Sequence, residues 1–426
     1  MQKDIHVGLL GFGTVGTGVA RILLEQASRI SARLGRNVVL AKIVDVDITR
    51  DRGLILPPGI LSQQASDVID APDIDIVIEV IGGIAPAKAF ILAALKNKKH
   101  VVTSNKEVIA KCGTEIFSTA KANGVNVFYE AAVGGGIPIL RPLNKCLAAN
   151  KIEHVFGIVN GTTNYILSRM TREKKDFQEM LAAAQAAGYA EANPTADIDA
   201  FDAQYKIKIL TSLAYGMDIP LDAIYREGIG KVSASDIEYA KEFGYVIKLV
   251  AIANDTNAGL DVRVHPTMVP ETHALASVSD AFNAIVIHGD NVGETMFYGQ
   301  GAGMMPTASA VVADVLDLVS DTSYRMRDIL VPSQPPLSIS DTVNKYYLRL
   351  RVLDKPGVLA QISGVLAEYE VSIVTVLQRN TQDGAAELII ITDRVQEQKL
   401  QTAVGKIKAL PSVQEVANLI RVGLQI

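Results

Sequence analysis

Cysteine is scarce in this chain, with only Cys112 and Cys146 in 426 residues. Two cysteines exclude a disulfide framework, and both are expected to be reduced, core or near-core residues of a cytoplasmic protein. Basic charge is not in surplus either. The net charge of −5 and a pI near 5.8 give no ground for nucleic acid or an anionic membrane as a partner. Long apolar runs are also missing. "MQKDIHVGLLGFG" lacks the basic stretch, apolar core and small-residue cleavage site of a signal peptide. "IAPAKAFILAAL" is interrupted by Lys88 and too short to span a bilayer. The expectation is a soluble, cytoplasmic protein with no membrane partner. What the chain does have is 49% apolar residues against 20% charged, the balance of a well-cored globular protein of two or three domains.

Apolar runs and helical patterns alternate over residues 1–140. "IHVGLL", "VVLAKIVDV", "IDIVIEVI", "HVVTS" and "NVFYEAAV" read as strands. Residues 14–34 read as one long helix, and "PAKAFILAALKN" and "KEVIAKCGTEIFSTAKA" as two more. This alternation predicts a parallel sheet covered on both faces. After "GGGIPI" the strands "YVIKLVAIA", "LDVRVHP", "NAIVIHG" and "GETMFYG" follow one another directly, which predicts an α+β domain with a largely antiparallel sheet. "PTASAVVADVLDLV" is a helix expected to run back to the first domain. "VPSQPPLSISDTVNK" is Pro/Ser-rich and reads as a linker, and the last eighty or so residues follow the ferredoxin-like order βαββαβ. The expected class is α/β. It comprises a Rossmann-type doubly wound nucleotide-binding domain over 1–137 with about 306–330 returning, and an α+β substrate and dimerisation domain over 138–305. A linker over 331–345 and a ferredoxin-like domain over 346–426 complete it.

"GFGTVG", spanning Gly11, Phe12, Gly13, Thr14, Val15 and Gly16, fits G-x-G-x-x-G between a strand and a helix. Its glycines permit a tight turn, close approach to a pyrophosphate and close helix–strand packing. A glycine turn kept for packing alone is the competing reading. The second strand ends in Asp45 and Asp47. A carboxylate there accepts from a ribose 2′-hydroxyl and repels a 2′-phosphate, so NAD is favoured, with NADP usable because Arg50 and Arg52 follow closely.

"AEANPTADIDAFDAQYKIKIL" at 190–210 gathers Glu191, Asp197, Asp199, Asp202 and Lys206. On a helical wheel Lys206 shares a stripe with Ile209, Leu210 and Leu213, one turn after Asp202, whereas Lys208 falls on the more polar side. A desolvated lysine held by an aspartate can exchange a proton with an oxygen whose carbon exchanges hydride. An ordinary helical ion pair is an equally good reading of these residues alone. Lys106 follows the fourth strand, whose carboxyl end is a ligand-binding edge in doubly wound folds.

With "TSNKEVIA", "YEAAVGGGIPI", "GIVNGTTNYILSRM" and "GAGMMPTASAVVADV", these motifs resemble the homoserine dehydrogenases over residues 1 to about 330. "DKPGVLAQISGVLAEYEVSIVTVLQ" is similar to an ACT domain. The resemblance implies reversible, nicotinamide-dependent interconversion of L-homoserine and L-aspartate 4-semialdehyde. It implies Lys206 as catalytic lysine, Asp202 as its acidic partner and Lys106 as a second active-site lysine. Glu191 and Asp197 match substrate-side carboxylates, and Thr162 and Thr163 fall near the substrate, with helix capping an equal alternative. Thr103 and Gly303 match cofactor contacts. Glu130, Val133, Gly135 and Ile137 match backbone-carbonyl ligands of a sodium ion, with a glycine hinge as the plainer reading. The "DVD" at Asp45 departs from the "VRD" of many relatives, which again favours NAD.

Two competing readings are another ACT-bearing dehydrogenase, acting on prephenate or 3-phosphoglycerate, and a catalytically silent amino-acid sensor. "NGTTNYIL" and the Asp202/Lys206 helix disfavour the first, and intact Lys206 and Lys106 argue against the second. An amino-acid effector, with threonine as the natural guess, is expected at Pro356 and Gly357. A homodimer or homotetramer is the expected assembly.

Overall fold

The computed structural model describes residues 3–320, 336–380 and 384–424. In chain order it runs β1 (Ile5–Leu10), α1 (Thr14–Glu25), α2 (Ala27–Leu34), β2 (Val38–Val44), β3 (Leu61–Ser62), α3 (Ser66–Ile69), β4 (Ile76–Glu79), α4 (Ala87–Lys96), β5 (His100–Thr103), α5 (Lys106–Asn123) and β6 (Val127–Phe128). Then come β7 (Ile152–Ile158), α6 (Gly161–Glu173), α7 (Phe177–Ala186), α8 (Thr195–Ile198), α9 (Phe201–Tyr215), β8 (Tyr225–Arg226), α10 (Ala234–Glu242), β9 (Tyr245–Thr256) and β10 (Gly259–Pro270). The rest is β11 (Phe282–Gly289), β12 (Gly293–Gln300), α11 (Met304–Ser320), β13 (Val343–Leu353), α12 (Val358–Glu368), β14 (Ile373–Asn380), β15 (Ala385–Thr392), β16 (Val395–Gln396), α13 (Glu397–Lys408) and β17 (Val413–Val422). Among the described residues no helix is long and apolar enough to cross a membrane.

Two compact units form. The first comprises the described residues within Met1–Val155, Tyr205–Leu221 and Phe282–Ser333. Its parallel six-stranded sheet has the order β3-β2-β1-β4-β5-β6, that of a doubly wound dinucleotide fold. Val7, Leu9, Ile43, Ile78 and Val102 pack from the strands against Val19 and Leu23 of α1 and Val311 and Val315 of α11. The helix expected at 14–34 is broken at Gln26, whose φ of −108° and ψ of 15° leave helical space before α2 turns Ile30 to the core. Spacing survives across the break, so periodicity alone does not reveal it. The fifth strand stops at Phe128, because Tyr129 leaves strand geometry and Glu130–Ala132 form a 3-10 turn. The antiparallel pair β11–β12 also lies in this unit. Cys112 is half-buried but Cys146 is exposed, against the core or near-core expectation, because the turn Pro142–Cys146 directs only Leu143 inward.

The second unit comprises the described residues within Phe156–Gln204, Asp222–Ala281 and Gln334–Ile426. Its strands follow the order β9-β10-β17-β13-β15-β14, with β8 on β10 and β16 on β13. The last four strands of that order, with α12 and α13, form the βαββαβ module around Tyr346, Leu348, Leu350, Ile362, Leu388 and Leu400. This module continues the sheet of its neighbour: β17 pairs in parallel with β10 through Thr267 opposite Arg421 and Met268 opposite Val422. Of the expected linker, residues 331–335 lie outside the described residues. Leu337 N–H donates to Leu260 O at 2.9 Å, Ile339–Asp341 form a 3-10 turn, and β13 begins at Val343. Charged side chains seal this seam. Arg349 Nε donates to Asp236 Oδ1 at 2.7 Å, and Arg421 reaches Glu397 at 2.7 Å and Glu227 at 3.1 Å.

Candidate active site

Chain direction across the first sheet reverses between β1 and β4, the place where doubly wound folds open a crevice at their carboxyl strand ends. Gly11, just past β1, has φ +100°, and a Cβ there would lie 3.0 Å from the backbone of Val80. A Cβ on Gly16 would lie 2.0 Å from Gly11 O, whereas one on Gly13 would meet nothing within 4 Å. The loop is thus tight at both ends and open in the middle. Gly13 caps α1 without a side-chain bond, which leaves first-turn N–H groups and the helix dipole to an anionic ligand. Thr14 and Gly13 are exposed, Val15 is half-buried and Phe12 is buried.

Asp45 lies beside this loop. Its Oδ2 accepts from Phe12 N–H at 2.5 Å, and its Oδ1 accepts from Asp47 N–H at 2.9 Å. Arg52 stands 3.6 Å from Asp45 Oδ1. It donates from Nε to Phe12 O at 2.5 Å and from Nη2 to Asp47 O at 2.7 Å, and its guanidinium lies 4.5 Å from the centre of the Phe12 ring. Arg52 is therefore committed to fixing the loop, while Arg50 is exposed.

The adjacent strand ends are tied by a buried carboxylate. Glu79 accepts from Ile81 N–H and Thr103 Oγ1, both at 2.7 Å, and burial pushes its carboxyl above the usual range. Asn105 donates to Gly83 O at 2.7 Å and caps α5 by accepting from Val108 N–H. Lys106, the first residue of α5, is half-buried just past this network. Gly303, with φ +123°, sits just before α11, and a Cβ on Gly18 of α1 would come within 2.9 Å of Met304 O. The start of α11 is thereby held beside α1.

Glu130 is 3% exposed. Its carboxylate accepts from the N–H groups of Ile139, Leu140 and Arg141 at 2.6, 2.8 and 2.8 Å, and its backbone carbonyl accepts from Val133 N–H at 3.4 Å. Burial raises its pKa. Asp314, which accepts from Glu130 N–H at 2.8 Å, is raised well above the carboxylate range by burial and by Glu130. Gly134 and Gly135 take φ +74° and +54°, and a Cβ on Gly135 would lie 2.4 Å from Gly301 O. The loop thus packs closely on residues 300–306, and its peptide oxygens are donors of the class a hard cation takes.

In the second unit Asn160 caps α6, with Oδ1 accepting from Thr163 N–H at 2.8 Å. Its Nδ2 donates to Asp197 Oδ1 at 2.7 Å and to Asp202 Oδ2 at 2.8 Å. Thr162 Oγ1 donates to Tyr189 O at 2.7 Å. Helix α9 follows Ala200, held at φ +63°, and carries Asp202 and, one turn on, Lys206, which are 4% and 7% exposed. Asp197, Asp202 and Thr163 thus meet at one residue. Glu191 is exposed on a loop, and among the described residues no hydrogen bond joins its carboxylate to this group. The wheel contrast between the two lysines does not hold as drawn. Lys208 is also shielded, at 12% side-chain exposure, and pairs with Asp218 at 3.1 Å, because α9 is buried on nearly every side.

Known proteins match along the whole chain. A model of the homoserine dehydrogenase NAD-binding domain matches residues 11–130, one of homoserine dehydrogenase matches 138–316, and one of the ACT domain matches 346–412. Homoserine dehydrogenase from Neisseria gonorrhoeae is 42% identical, over 99% of each chain. The chain belongs to the homoserine dehydrogenase family. Its members are NAD(P)-dependent oxidoreductases, and here the family's nucleotide and ACT domains are both present. The crystal structure of a homoserine dehydrogenase from Thiobacillus denitrificans superposes with a TM-score of 0.93 at 42% identity, covering 99% of this chain and 98% of that one. A hyperthermophilic archaeal homoserine dehydrogenase, solved in complex with NADPH, has a TM-score of 0.66 at 27% identity and covers 76% of this chain and 100% of its own.

Asn160, Glu79 and Asn105 escaped the sequence reading, and Arg52 was read only for its bearing on NADP, not as a residue that fixes the glycine loop. A polar residue just ahead of a helix, as in "VNGTTN" and "TSNKEV", was the available signal for both asparagines. Glu79 lay inside an apolar strand, where a lone carboxylate calls for a partner.

Proposed function

We propose that the chain interconverts L-homoserine and L-aspartate 4-semialdehyde, in the formation of threonine, methionine and isoleucine. The observation that carries this reading is the buried Asp202 and Lys206 on one turn of α9, with Asp202 joined through Asn160 to Asp197. When bound, the nicotinamide supplies or accepts the hydride. Lys206 gives a proton to the aldehyde oxygen on reduction and takes one from the hydroxyl on oxidation. Asp202 balances the ammonium where little water reaches it. Glu191 and Asp197 suit the substrate's amino group, Thr162 and Thr163 lie at the same helix start, and Lys106 brings a second ammonium at the nucleotide end.

Gly11, Phe12, Gly13, Thr14, Val15 and Gly16 would hold the pyrophosphate, with Thr103 and Gly303 as further contacts. NAD is favoured over NADP: the Asp45 carboxylate, bonded to the glycine loop, would suit a ribose 2′-hydroxyl, and Arg52 is occupied by the loop. The carbonyls of Glu130, Val133, Gly135 and Ile137 would hold sodium. Gly357, at φ +88° before α12, with Pro356, would receive an amino-acid effector, with threonine favoured. A cytoplasmic homodimer or homotetramer is the assembly this reading supports.

Reduction of NAD with L-homoserine tests the reading, in the wild type and in Lys206→Ala. A wild type that does not turn over contradicts the function, and undiminished activity in the variant contradicts the role of Lys206.

A further inference from the structure

The orientation of the Asn160 side chain follows from its partners. Oδ1 takes both donors of Thr163, the backbone N–H and Oγ1, each at 2.8 Å. The amide nitrogen must then face the other way, where it meets Asp197 Oδ1 at 2.7 Å and Asp202 Oδ2 at 2.8 Å. A flipped amide would set an N–H group against the Thr163 backbone N–H, which can only donate, and an oxygen against two carboxylates. Asn160, Thr163 and Asp202 are 5%, 1% and 4% exposed, so little water is present to replace these bonds. One amide therefore bridges carboxylates carried by two helices, α8 and α9. A donor shared between two carboxylates holds an oxygen of each in place.

We infer that Asn160 is a positioning residue of the reaction. It clamps Asp197 to Asp202 and thereby sets both the substrate-side carboxylate and the partner of Lys206. Thr163 locks the amide in the productive orientation. The inference rests on the proposed function, in which Asp197 faces substrate and Lys206 moves the proton.

Helix capping alone makes a different forecast, because Asn, Asp and Ser are near-equivalent N-caps. Asn160→Ser keeps a cap and loses both amide donors. Asn160→Asp keeps a cap and turns a third carboxylate toward the other two. The clamp predicts that kcat/KM for homoserine falls on the order of 10²-fold in Asn160→Ser and further in Asn160→Asp, while KM for the nucleotide stays at the wild-type value. Thr163→Val retains the backbone donor to Oδ1 and should lose about tenfold; it carries the test by the same criteria if the Asn160 variants do not fold. Variants within about threefold of an active wild type overturn the clamp alone, as does a loss shared equally by nucleotide and homoserine KM. A wild type with no homoserine turnover overturns the functional reading and the clamp with it.

Discussion

At position 45 a single carboxylate takes a backbone N–H of the glycine loop on one oxygen and one from Asp47 on the other. That double hold fixes where its negative charge faces. Asp45→Ser is therefore expected to lower kcat/KM for NAD and raise the NADP-to-NAD ratio about tenfold; an unchanged ratio in initial-rate assays with both nucleotides contradicts this role. The place of Asp45 beside the glycine loop was legible from sequence, because a strand end and a glycine loop define it locally. The two lysines of α9 were less so. A wheel separates faces, but it does not say that a helix is buried all round, and Lys208 turns out to be shielded through Asp218. Lys208→Met should keep homoserine turnover within a few-fold of wild type, because the pair it breaks involves Asp218, whose carboxylate also accepts from Thr114, and not the carboxylates that Asn160 holds. A loss as deep as that of Lys206→Ala would reverse this assignment. Asn160 was illegible for another reason: its two carboxylate partners stand 37 and 42 residues away, and no spacing rule brings them to one amide.

Among the elements, α6 is held from below by a buried lysine of β9. Lys248 Nζ donates to Asn164 Oδ1 at 3.1 Å and Val278 O at 2.6 Å, and burial pushes its pKa down from 10.5 to about 8. A folded-state value below the unfolded one means the unfolded chain holds more protons between these limits, so this group's penalty is full below pH 8 and fades as pH rises toward 10.5. The stability of Lys248→Met minus that of wild type should then fall by about 2 kcal/mol between roughly pH 7 and pH 10. Denaturant melts at the two pH values check it; a pH-independent difference contradicts it. Element types were readable wherever period and turn chemistry agreed, as in β1–β2 and the module over 343–422. Boundaries failed where one backbone residue changed state, at Gln26 and at Tyr129, because neither residue type forbids the continuation.

For the whole molecule, the C-terminal module is part of the second unit's sheet, which a Pro/Ser-rich stretch did not announce. The join is a two-residue parallel register with charged partners from far along the chain, Arg349 to Asp236 and Arg421 to Glu227. Such pairings carry no local signal. A chain ending at residue 320 would expose the β10 edge and strip Asp236 of its guanidinium, and its melting temperature should fall by several degrees or aggregation should follow. An unchanged melt contradicts the shared sheet. Threonine is expected to raise the melting temperature of the full chain more than isoleucine or methionine does, and equal shifts, or none, refute it as effector. The central claim is tested most directly by following NAD reduction with L-homoserine in wild type and Lys206→Ala. The account predicts turnover by wild type and a loss on the order of 10²-fold or more in the variant. Equal rates in the two proteins, or no turnover by wild type, would contradict it.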